Sequence, residues 1–96
     1  MQLARILGTV VATRKDTRLE GCKLLVVQPL SPAGKDAGGP FVAVDTVGAG
    51  FAETVLVVTG SSARMTPRTQ DAPVDAAVVG IVDSVSLDGP KKRSSP

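Results

Sequence analysis

The chain has 96 residues, 43% hydrophobic but only 2% aromatic, with one cysteine and no histidine, tryptophan or tyrosine. That length supports one domain, which buries only roughly 60–65% of its unfolded surface. The lack of histidine excludes His-based triads, His-liganded zinc and the commonest general base. The formal charge of +2 excludes a basic body, because residues 1–87 carry eight basic and eight acidic groups.

Leu3 to Thr13 reads as the first strand, rich in Val, Ile and Thr. One face is Ala4, Ile6, Gly8, Val10 and Ala12, and the other is largely apolar too. Gly8 implies a bend or a close backbone approach. Arg14 to Gly21 is charged and reads as an exposed connection. Cys22 to Leu30 is the second strand, with Pro29 placed where a ladder donor is not needed. Ser31 to Pro40, dense in Gly and Pro, is a loop. Phe41 to Val47 is the third strand, followed by the turn Gly48-Ala49-Gly50 and by Glu53. Thr54 to Thr59 is the fourth strand. Gly60-Ser61-Ser62-Ala63-Arg64 then offers a serine N-cap for about one helical turn. Residues 65–73 are irregular. Asp75 to Leu87 is the last and longest predicted strand.

Five strands and one short helix make an all-β chain, a five-stranded OB-like β-barrel. Its first, second and fifth strands are apolar on both faces over much of their length. A one-sided antiparallel sheet alternates instead. The mean hydropathy of +0.20 is also high for so small a soluble monomer. A neighbouring copy is the expected cover for the outer face, in a symmetric homo-oligomer. Ile6, Val10, Val79 and Ile81 are expected in the core or the subunit contact, without a choice between the two.

The candidate chemistry is sparse, and no catalytic, cofactor or metal residue is expected. Cys22 at the start of an apolar strand reads as a buried structural thiol. Asp45, Glu53, Asp75 and Asp83 sit at strand ends or turns, where carboxylates accept backbone N–H bonds. Gly48 and Gly50 with Ser61 and Ser62 are a weak anion cradle, since no Walker lysine follows. Arg64 either pairs with an acid across a subunit boundary or is solvated. An OB-like barrel also admits single-stranded nucleic acid as the alternative function. That function needs a basic groove and stacking aromatics, and the chain offers Phe41, Phe51 and a neutral body. Residues 1–87 are expected to be the barrel domain, and 88–96 a disordered basic tail. The apolar run near the start is too short for a signal peptide or a membrane span. Together with the lone cysteine it points to the cytoplasm.

Several stretches together resemble the EutN/CcmL family of bacterial microcompartment vertex proteins. They are Leu3 to Thr13, Leu19 to Leu25, Val44-Asp45-Thr46-Val47-Gly48-Ala49-Gly50, Gly60-Ser61-Ser62-Ala63-Arg64, and Pro73 to Ala76 leading to Val79-Gly80-Ile81-Val82-Asp83. The likeness runs from Met1 to about Leu87. It implies a homopentamer, not an enzyme, capping the fivefold vertices of a polyhedral shell whose facets are hexameric tiles. On that reading Gly48, Ala49, Gly50, Ser61 and Ser62 approach the fivefold axis, and Asp45, Glu53 and Arg64 serve the subunit interface. Arg14 to Gly21, or the loop Ser31 to Pro40, is expected against a neighbouring tile. The chain departs from the family in one turn. Where the pattern often runs Gly-x-Gly-x-Gly-Glu, here Gly50 is followed by Phe51, Ala52 and Glu53.

Overall fold

The computed structural model describes residues 1–88. The basic tail after Asp88 lies outside them. Strands β1 (Gln2–Val10), β2 (Leu24–Leu30), β3 (Phe41–Asp45), β4 (Thr54–Thr59) and β5 (Ala76–Ile81) close into a barrel in the order β1-β2-β3-β5-β4. Every pairing is antiparallel except the β3–β5 seam, which is parallel and only two residue pairs long, Val44 with Ala77 and Asp45 with Val78.

Four of the five strands differ in extent from the sequence reading, and partner length explains most of it. β1 stops at Val10 because its last β2 partner is Leu24. β2 starts there rather than at Cys22. β5 stops at Ile81 because β4 begins at Thr54, and the last bond is Val82 N–H to the Thr54 carbonyl at 2.8 Å. β3 ends at Asp45, whose own side chain curls the next residues out of the sheet.

Gly8 adjoins a β-bulge: Ile6 faces Val27, Gly8 faces Val26, and Leu7 is the extra residue. A Cβ at Gly8 would meet nothing within 4 Å, so the strand bends there without a close approach. The expected helix is a 3₁₀ turn, Gly60–Arg64, and a second one spans Thr17–Leu19. No α-helix occurs among the described residues. Serine does not cap the first turn. Its N-cap position is Thr59, with no side-chain cap bond, and Gly60, at φ +65°, donates its N–H to the Asp75 carbonyl at 2.8 Å. Asp16 caps the second turn, and Arg18 Nε and Nη2 meet its carboxylate at 2.9 Å. These guanidinium bonds, with the Arg18 N–H, hold the Asp16 carboxyl down at about 2.

Two apolar clusters hold the chain. The barrel interior is small and aliphatic, with Ile6, Leu25, Val27, Val55, Val57 and Val78 almost fully buried. The second cluster lies on the outer face of β3 and β5. There Val44 and Ala77 meet Ala63, Ala72 and Val74, flanked by Leu19, the half-buried Cys22 and Val79. The irregular stretch after Arg64 is therefore a lid that covers one outer face, and it locks on the fully buried Thr69, whose hydroxyl lies 2.7 Å from that of Thr66. A neighbouring copy is not needed on that side. The faces of β5 are now assigned: Ala76 and Val78 point inward, Ala77 and Val79 outward, and Ile81 is 40% exposed.

Ile6→Ala removes the best-buried branched side chain of β1. We expect it to cost about 2–5 kcal/mol of unfolding free energy, read as a lower denaturant midpoint in the full chain.

Candidate functional site

The residues singled out in the sequence fall at the two ends of β4. At its start, Asp45 organises the glycine turn. Its carboxylate is buried and accepts the N–H of Val47 at 3.0 Å, of Gly48 at 3.2 Å and of Ala49 at 3.1 Å. Lys23 Nζ donates to the Ala49 carbonyl at 2.8 Å. Glu53 Oε1 accepts the Gly50 N–H at 2.6 Å. Two backbone bonds, Ile6 N–H to the Glu53 carbonyl and Ala52 N–H to the Ile6 carbonyl, both 3.0 Å, fasten the turn to β1. Ala49 is fully buried in the interior cluster. The turn is a plug that seals one end of the barrel.

This corrects several expectations. Ala49 points into the barrel, so its side chain packs the core. Asp45 spends its carboxylate on its own turn and has little surface for a partner. The turn N–H groups are occupied by Asp45 and Glu53, and Ser61 and Ser62 stand about 20 Å away at the far end of the six-residue β4. The anion cradle is therefore not assembled. Ser61, Ser62 and Arg64 are exposed on the 3₁₀ turn. Among the described residues of this one chain Arg64 makes no ion pair, and it is not wholly solvated. Its Nη1 donates to the Val74 carbonyl at 3.0 Å and pins the lid. Phe41 packs against the interior while Phe51, 77% exposed, rides on the glycine turn. They form no shared stacking platform. Among the described residues no three His, Cys, Asp or Glu side chains gather as a metal site.

The absent third glycine left a mark that sequence reading did not resolve. Ala52 sits at φ +69°, in the left-handed region that glycine favours. Ala52 carries the strain, held by its bond to Ile6.

A family model described as "Ethanolamine utilisation protein EutN/carboxysome" matches residues 1–83. The chain belongs to the EutN/carboxysome family. The carboxysome shell vertex protein CcmL of Synechocystis sp. is 52% identical to this family member over 87 residues, covering 91% of this chain and 87% of CcmL. The solved CcmL of Gloeobacter violaceus superposes with a TM-score of 0.87 at 44% identity, over 92% of this chain and 91% of that one. The GrpN pentameric microcompartment shell protein from Rhodospirillum rubrum superposes with a TM-score of 0.82 at 50% identity, over 91% of this chain and all of GrpN.

Within this EutN/carboxysome-family barrel the turn is a stability element with measurable parts. Asp45→Ala should cost about 2–4 kcal/mol, since it leaves three backbone donors without their charged acceptor. Ala52→Gly should raise stability by about 0.5–1 kcal/mol, the left-handed strain removed less the added chain entropy. Chemical denaturation of the two variants beside the parent checks both signs.

Proposed function

We propose that this chain is a structural shell protein whose homopentamer caps the fivefold vertices of a bacterial microcompartment in the cytoplasm. The observation that carries the reading is the match to GrpN, a pentameric shell protein aligned over its whole length at 50% identity. The vertex function named for the CcmL relative supports it. The protomer fits the role. Its polar groups serve its own turns, and among the described residues no buried side-chain nitrogen or oxygen lacks a hydrogen-bond partner. What it leaves open is apolar surface: Leu7, Val42 and Ile81 are each 38–46% exposed on strands.

In the ring, the partners are four further copies and the hexameric tiles of the same shell. Glu53 and Arg64 remain exposed at opposite ends of β4 and are available to neighbours. The two small-residue groups, Gly48 with Gly50 and Ser61 with Ser62, both approach the fivefold axis only if β4 runs along it. The tile contact falls to Arg14–Gly21 or to Ser31–Pro40, which leave the barrel at opposite ends. Nucleic-acid binding is not favoured, because the aromatics are apart and the body is neutral.

Co-expression with the hexameric tiles, with and without this chain, tests the reading by electron microscopy of the purified shells. We expect closed polyhedra with fivefold density at the vertices when the chain is present, and open or elongated shells without it. Shells that close equally well in its absence and hold none of it would contradict the vertex function.

A further inference from the structure

The outer wall of the barrel carries a row of leucines where water would favour polar groups. Ladder register sets Leu30 of β2, Leu3 of β1 and Leu56 of β4 side by side across three strands. Gly80 of β5 comes next, opposite Leu56. Ala4 and Val55, which follow Leu3 and precede Leu56, lie in the interior cluster. Side chains alternate along a strand, so the leucines face outward. A one-sided antiparallel sheet places polar residues on that face. The row floors a depression of about 380 Å³, flanked by Met1, Gln2 and Pro32. At its far side Leu56 lies over Gly80, where a Cβ would come within 3.4 Å of the Leu56 Cδ1.

A matching knob stands on the plug. Phe51 is one of the two aromatic residues of the chain, and it is 77% exposed. The turn presents it on a fixed backbone. Glu53 holds the Gly50 N–H on one side of it, and the Ile6 carbonyl holds the Ala52 N–H on the other. The bonds to Ile6 continue the antiparallel run of β4 along β1, which brings the bulged Leu7, 38% exposed, alongside Phe51. Phe51 does not line the leucine depression of its own chain.

We propose that Phe51 of one copy inserts into the depression over Leu3, Leu30 and Leu56 of the next copy. This rests on the pentamer reading and names the surfaces that make it. A head-to-tail ring needs two different complementary patches on every subunit, and it closes when the rotation between neighbours does. Here each protomer carries one knob and one hollow. The plug seals the end of the barrel and the leucine row lies on its side wall, so the two patches face roughly at right angles. A ring of five needs about 108° between its two contact directions. Aromatic side chains that fill desolvated pockets dominate interface energy. A knob on a turn already fixed by its own bonds loses little freedom on docking.

The test uses the full chain with Cys22→Ser as the parent. Phe51→Asp should lower the fivefold species in native mass at least tenfold, while its far-ultraviolet circular dichroism stays unchanged, and Phe51→Leu should keep the ring. Phe51→Cys is also combined with Leu56→Cys or with Pro32→Cys, oxidised mildly and run on a denaturing, non-reducing gel. We expect one of the two pairs to give a covalent ladder in steps of one chain, ending at five. Its yield should exceed that of either single variant at least tenfold. A parent that weighs five copies, with no ladder from either pair and an intact Phe51→Asp ring, overturns this contact and leaves the pentamer standing. An intact Phe51→Asp ring that no longer closes shells with the hexameric tiles gives the phenyl ring to a tile, and overturns it too. A disulfide closed within one chain overturns it as well. A parent that is a single chain overturns both.

Discussion

The barrel closes through a seam of only two residue pairs, and the rest of the protomer is arranged around that weakness. A parallel β3–β5 contact at Val44 and Asp45 cannot hold a cylinder shut by its own ladder bonds. Three reinforcements meet there. The Asp45 carboxylate turns the chain sharply into a plug and ties the plug to β3. Thr46 repeats the link, its hydroxyl 2.6 Å from the Val78 carbonyl. On the outer face the lid buries Val44 and Ala77 in a second apolar cluster. Burial on both faces of the seam does what hydrogen bonds along it are too few to do.

Much of this was legible in the residues and some was not. The fourth strand was read to its correct bounds, because turn residues punctuate both of its ends. Apart from the end of β3, which Asp45 sets, strand limits elsewhere failed for one physical reason. Val11 and Val85 have the composition of strand residues, but a strand ends where its partner ends, and partner length is not a local property. The lid was read as irregular, which it is. Its burial of Ala63, Ala72 and Val74 follows from tertiary placement and has no period to detect. Ala49 was read as approaching a fivefold axis because it is small, and its full burial in the barrel interior has no local sequence signal. The Ala52 position was visible as a departure from the family pattern, and only the backbone angle shows that it is held in the left-handed region.

Stability and assembly are thus carried by different residues. The aliphatic interior, the Asp45 plug and the Thr69-centred lid complete the protomer within itself. Leu7, Val42, Ile81, Val85 and Leu87 stay partly exposed after every internal contact is made. In so small a domain that surplus is surface to be covered by other copies.

The most direct test of the account is the native mass of the purified full chain. Five copies of a 9.8 kDa chain weigh about 49 kDa. The account predicts a dominant species of that mass at micromolar concentration. A stable species of one chain would contradict it.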